Sequence, residues 1–89
     1  MARLEMAGAD MASMAEMQPS SESLFELGLI YATGREVATD LIVVHKWFNL
    51  AAIRGNSEAA HYRQEVAREM SPMALAEALR AAREWLSRH

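Results

Sequence analysis

Apolar residues recur every three to four positions along most of this chain, which is the spacing of one face of an α-helix. The periodic segments are separated by short stretches of serine, asparagine, aspartate, proline and glycine, the residues that begin and end helices. This pattern predicts an all-α domain of about four helices, over 20–33, 40–54, 57–70 and 72–88. The β-branched run at 41–44 favours a strand, but helical spacing continues beyond it and no second strand candidate exists to pair with it.

Chemical signals mark each predicted helix boundary. Gly34 and Gly55 stand where a left-handed residue would end the first two helices, and Pro72 stands in the first turn of the fourth. The candidate capping residues are, in chain order, Thr39 or Asp40, Asn56 or Ser57, and Ser71.

The second helix is apolar on more than one face, so we expect it to be central and covered from two sides. One face contains Val44, Phe48 and Ala51, and another contains Trp47 and Leu50. The fourth helix is simpler, with one apolar stripe and one charged side. The stripe consists of Leu75, Leu79, Ala82 and Leu86, and the charged side of Glu77, Arg80, Glu84 and Arg88.

Gly28 lies inside the first predicted helix, where a glycine costs about 1 kcal/mol relative to alanine. A close helix contact would offset this cost. We expect Trp47 or Phe48 of the second helix to lie over Gly28, and Ala51 and Ala52 to let the third helix approach equally closely.

Residues 24–60 resemble a Sel1-like repeat, a relative of the tetratricopeptide repeat. The matching positions are Leu27, Gly28, Tyr31, Gly34, Val37, Asp40, Trp47, Phe48, Ala51, Ala52, Gly55, Asn56 and Ala59. Ser23, Glu36 and Val44 depart from the repeat pattern. The resemblance implies an antiparallel helix-turn-helix repeat at 20–89, and the segment 62–86 resembles the C-terminal cap of bacterial Sel1-repeat proteins.

Only one full repeat is present, and repeats of this type bury a face against neighbours. We therefore expect the open side of the first helix to be covered, either by the methionine-rich segment 1–19 or by a second protein. That segment is interpreted as flexible or arm-like, because short isolated helices are marginal in water. The second protein could be another copy of this chain, which makes a homodimer possible.

Composition argues against several other classes of protein. The chain has no cysteine, which argues against disulfides and thiolate chemistry. Nine Lys and Arg are scattered among twelve acids, for a formal charge of −3, so no basic patch for nucleic acid is expected. No segment resembles a secretory signal or a membrane span, and a cytoplasmic location is predicted.

Catalytic, metal and cofactor sites are not expected. His45, His61 and His89 are the only histidines, and none is expected to pair at i, i+4 with a histidine or a suitable carboxylate. Glu58 and His61 form E-x-x-H, but a di-iron site needs further carboxylates on other helices. Glu36 and Asp40 suggest helix capping more than catalysis. The aromatic residues are spaced as helix core.

The sequence thus predicts a non-enzymatic protein-interaction module, because the resemblance implies adaptors that hold a partner segment. The candidate contact residues are Ile42, Lys46, Asn49 and Ile53 on the uncovered face of the second helix, and Arg35 and Glu36 in the preceding loop. The alternative is a small helix-turn-helix nucleic-acid binder, which also consists of three or four short helices. It requires a basic recognition helix, and the sequence shows none.

Overall fold

The computed structural model describes residues 19–34 and 39–89, which form an all-α fold. The helices are α1 (Ser21–Thr33), α2 (Leu41–Ile53), α3 (Ser57–Ala67) and α4 (Pro72–Arg88). Within these described ranges there is no strand, so the run at 41–44 is helical as predicted. The predicted arm at 1–19 lies outside the described residues except for Pro19, and so do Arg35, Glu36 and Val37 of the first loop.

Each helix begins at a polar side chain that accepts a hydrogen bond from a backbone N–H of the first turn. Of the two candidates predicted for each position, the capping residue of α2 is Asp40 rather than Thr39, and that of α3 is Asn56 rather than Ser57. The distances from the capping side-chain oxygen to the backbone nitrogen are as follows: 3.1 Å from Ser20 to Ser23, 3.0 Å from Asp40 to Ile42, 2.8 Å from Asn56 to Ala59, and 3.1 Å from Ser71 to Ala74. These contacts satisfy N–H groups that have no partner inside the helix.

The helix ends follow the predicted glycines, with one correction. Gly34 (φ 64°) and Gly55 (φ 107°) adopt positive φ after α1 and α2, where a side chain would be strained. The third helix ends at Ala67 rather than at Met70, so the prediction for its end was wrong. There the backbone tightens, and Met70 donates its N–H to the carbonyl of Ala67 at 3.1 Å, a bond between residues only three apart.

The helix α2 is central, as predicted, because it packs against α1, α3 and α4. Its side chains supply most of the buried core. The core residues are Leu24, Val44, Phe48, Leu50, Ala51, Ala59 and Ala82. A chain of this length buries only about 60 to 65% of its unfolded surface, so this small core depends on α2 being covered on several sides.

Gly28 is buried against the ring of Phe48. Of the two residues predicted for this contact, Trp47 and Phe48, it is therefore Phe48 that lies over the glycine. A Cβ atom at Gly28 would lie 2.5 Å from both Cδ1 and Cε1 of Phe48, closer than any ordinary contact. The absence of a side chain at this position therefore sets the distance between α1 and α2.

The buried side of α4 is rotated from the predicted stripe. Ala78 and Ala82 are fully buried, and Trp85 and Leu86 pack against the core, whereas Leu79 is 38% exposed. Small alanines let α4 lie close to α2, and the large Trp85 ring fills the space beside them. The charged side is as predicted, since Arg80 lies 3.3 Å from Glu84 and 3.9 Å from Glu77.

The positions of the repeat motif serve packing and capping where the structure describes them. Leu27, Tyr31, Trp47 and Ala52 pack against the core, and Asp40 caps α2. Such contacts are needed by any pair of antiparallel helices. The Sel1-like character of the chain therefore remains a prediction, while its all-α architecture is confirmed.

Candidate interaction groove

A groove of about 180 Å³ opens between α1 and α3, and we call it the α1/α3 groove. Its lining residues are Leu29, Ala32, Phe48, Tyr62, Glu65, Val66 and Glu69. Phe48 belongs to the buried core, so the groove reaches the core of the domain from outside. An open apolar depression with a few polar groups is the usual form of a binding site.

Two aromatic rings, Phe48 and Tyr62, line this groove, and a third ring, Phe25, packs against both of them. The centroids of Phe48 and Tyr62 lie 5.4 Å apart with the rings nearly parallel, and Phe25 lies 5.7 Å from Phe48 and 5.6 Å from Tyr62. The rings come from α1, α2 and α3, so they connect all three helices at one point. Packing of this kind fixes the groove's shape because each ring restricts the other two.

Two carboxylates stand at the α3 side of the groove. Glu65 lies 3.2 Å from His61 Nε2, one helical turn away, and Glu69 follows in the turn after α3. The sequence-based prediction that no histidine pairs with a carboxylate at i, i+4 was therefore wrong. It overlooked Glu65, although the spacing of the two residues is plain in the sequence. The His61 side chain is 70% exposed, so the pair is a surface contact.

The predicted contact face of α2 is only partly open. Ile53 is 54% exposed, and Ile42 and Lys46 are half-buried. The Nζ atom of Lys46 lies 4.2 Å from the centroid of the Trp47 ring, and burial lowers the pKa of this ammonium group. Arg35 and Glu36, the loop residues predicted to join this face, lie outside the described residues.

Asn49 differs from the other residues of that predicted face, because it is turned into the protein. It is only 8% exposed, and its Oδ1 accepts a hydrogen bond of 2.8 Å from Arg63 Nη1 on α3. A charge-assisted bond between α2 and α3 satisfies a polar group that would otherwise be costly to bury. The expectation that Asn49 lies on an uncovered face does not fit this position.

His45 is the one buried histidine among the described residues, with 2% exposure. Burial lowers the pKa of its imidazole, and the nearby Arg63 guanidinium lowers it further, so the ring is neutral at pH 7. Its Nδ1 atom has no hydrogen-bond partner among the described residues. His45 therefore acts as a core residue whose protonation the fold opposes.

A second aromatic cluster lies where α4 packs on α2. Trp47 and Trp85 meet edge to face with centroids 6.1 Å apart, and Trp85 stacks on His89 at 4.0 Å. The Arg54 guanidinium lies 5.4 Å from the Trp85 ring and donates to the Pro19 carbonyl at 2.9 Å. This cluster thus connects the start of α1, the end of α2 and the end of α4.

The described residues offer no set of three side chains suited to holding a metal ion, and Glu58 and His61 stand without further ligands there. In the same part of the chain, every helix is too short or too polar to cross a bilayer.

Comparison with protein-family models, with curated proteins and with solved structures finds no significant match to this chain. The α1/α3 groove is thus interpreted from its own chemistry. Sequence reasoning did not identify it as a site, although Tyr62 and Val66 follow each other at i, i+4, as do Glu65 and Glu69.

Proposed function

We propose that this chain is a non-enzymatic protein-interaction module of the Sel1-like helical-repeat type, and that its α1/α3 groove receives a segment of a protein partner. The observation that supports this proposal is the open apolar groove over Phe48, bordered by Leu29, Tyr62 and Val66. A partner side chain that enters it would remove apolar surface from water, which contributes about 25 cal/mol per Å².

The position of the groove favours a helical partner segment. It lies between two helices that both pack on α2, and an amphipathic helix that lies across it would place an apolar side chain in it. The exposed part of the α2 face, with Ile42, Lys46 and Ile53, is proposed as a second and separate contact area.

The alternative function, nucleic-acid binding, has less support from the charges. A recognition helix presents cations to phosphates and base edges. Here α3 has Glu58 and Glu65 beside one cation, Arg63, and Arg63 is bonded to Asn49. The alternative predicts salt-dependent retention of the full chain on DNA.

Site-specific photo-crosslinking in the source cells would test the proposal. A benzophenone amino acid is placed at Ala32, an exposed lining residue of the groove, and separately at Gln64, an exposed residue on the other side of α3. We expect discrete protein adducts from the Ala32 position and none of the same mass from the Gln64 position. A third probe at Ile53 examines the predicted α2 face in the same way.

Two results would contradict the proposal. If illumination yields no adduct from Ala32, the groove does not meet a protein. If Ala32 and Gln64 give the same adducts, the contact is unspecific. Circular dichroism of each purified variant confirms that the probe has not disturbed the helices.

A further inference from the structure

The helix α4 has a partly exposed apolar stripe beside its buried side. Leu79 is 38% exposed, and the half-buried Leu75 and Leu86 flank it along the same side of the helix. Arg83 is exposed and follows Leu79 by four positions, so it lies next along this side. We call Leu75, Leu79, Arg83 and Leu86 the α4 stripe. Apolar residues with a neighbouring cation form the surface of a basic amphipathic helix.

The charges around the α1/α3 groove have the opposite sign. Among the residues that line the groove are two carboxylates and no cation, and α1 contains Glu22 and Glu26 but neither lysine nor arginine. On α4, by contrast, Arg80, Arg83 and Arg88 outnumber Glu77 and Glu84. Among the described residues, the groove lining thus has a net negative charge and α4 a small net positive charge.

An occupant of the groove would also cover part of Glu65 and Glu69. Removing a carboxylate from water is costly unless a cation replaces the lost hydration. Glu65 already lies against His61, but a neutral or acidic segment would leave Glu69 without a partner among the described residues. The occupant must therefore combine an apolar side chain for the space over Phe48 with a cation close behind it.

The α4 stripe of another molecule has this combination. Four residues of helix span about 6 Å, so an Arg83 guanidinium would lie close to Glu69 when Leu79 enters the groove. Among the described residues, neither Glu69 nor Arg83 has a side-chain hydrogen bond or ion pair. We propose that the α1/α3 groove binds the α4 stripe of a second copy of this chain. This inference rests on the function proposed above, since it names the partner of the same groove.

The geometry of this contact restricts the type of assembly. The groove-lining residues and the α4 stripe share no residue, so the contact joins two different surfaces. Two copies can make the contact reciprocally in a closed dimer, and otherwise such head-to-tail contacts continue into chains or close into rings. A single helix in a groove buries a small area, and the association should accordingly be weak and dependent on concentration.

Sedimentation velocity of the full chain, from about 10 µM to about 1 mM, provides the first test, because this range spans weak dissociation constants. We expect the average mass to rise above the 9.9 kDa of the monomer as concentration rises, and to fall again when salt screens the ion pair. Either charge reversal, Glu69→Arg or Arg83→Glu, should weaken association about five- to tenfold because attraction becomes repulsion.

A mixture of the two variants gives the sharpest result. Each variant repels itself, but in an equimolar mixture each groove finds an α4 stripe of opposite charge on the other variant. That variant is half of the molecules, so association should return to within about twofold of the wild-type level at the same total concentration. The matched control is Arg88→Glu, which makes the same charge change on the opposite side of α4 and should leave association unchanged.

The inference is overturned if the chain stays monomeric over the whole range, or if the mixture associates no better than each variant alone. The inference is also overturned if both charge-reversal variants associate as strongly as the wild type. If the chain is monomeric and the Ala32 probe still captures a different protein, the groove binds a partner, but that partner is not a second copy of this chain. If Ala32 captures nothing, the proposed function itself fails.

Discussion

The two sides of α2 are held by different kinds of contact. On one side, Phe48 is 1% exposed and lies against Gly28, with no room for a single additional carbon. On the other side, the half-buried rings of Trp47 and Trp85 meet edge to face, with cations beside them. The packing on the first side thus requires a close fit between Gly28 and Phe48. The packing on the second side is formed by two large rings that can shift relative to each other. Substitutions should therefore cost more on the Phe48 side.

Truncation of the two rings is expected to have the largest effect and to measure this difference directly. Phe48→Ala should lower the free energy of unfolding by about 3–5 kcal/mol, because a buried ring leaves a cavity. Trp85→Ala should cost about half as much, because its ring is only half-buried before truncation. Urea unfolding followed by circular dichroism gives both values. Equal losses would show that the two sides do not differ in the way described.

A smaller effect is expected from adding one methyl group at Gly28. Helix propensity alone predicts that Gly28→Ala stabilises α1 by about 1 kcal/mol. The overlap with the Phe48 ring should reverse this sign and destabilise the protein by about 1–3 kcal/mol. The second substitution Phe48→Leu should relieve part of that loss, so a double-mutant cycle would show coupling. An increase in thermal stability of Gly28→Ala would contradict the close contact.

The smallest effect concerns pH and His45, which lies on α2 near Arg63. Because burial and Arg63 lower its pKa in the folded protein below the ordinary value of 6.5, the unfolded chain binds the proton more readily. Stability is therefore full above about pH 6.5 and should fall as the pH decreases from there towards the folded pKa. Urea unfolding between about pH 7.5 and 5.5 measures this slope in the wild type and in His45→Gln. The same slope in both proteins would exclude His45 as its origin.

Local chemistry explains why most of the fold was predictable. The hydrogen bonds of Ser20, Asp40, Asn56 and Ser71 join residues two or three apart, and such bonds depend only on the immediate sequence. The positive φ of Gly34 follows from the same local rules. The contact of Gly28 was also predictable, since a glycine inside a helix indicates a close neighbour.

Contacts between distant residues explain what could not be predicted. Arg63 and Asn49 lie fourteen positions apart, and no local pattern indicates that their side chains meet. On α4, Ala78 is buried and Leu79 is 38% exposed, and Trp85 of the same helix meets Trp47, which is far away in the sequence. The groove lies between two helices that are not consecutive, so its lining appears only when both are placed on α2. The spacing of the two acidic residues of the groove, Glu65 and Glu69, is nonetheless visible in the sequence.

The central position of α2 also has a consequence for the order in which the chain folds. The contacts of α2 with α1 and with α3 join consecutive helices, whereas its contact with α4 must close a loop that contains α3. Consecutive helices meet quickly, while closing a longer loop costs additional chain entropy. The three helices α1 to α3 should thus assemble first, with α4 docking last. A substitution at Trp85 would then accelerate unfolding and leave the folding rate nearly unchanged.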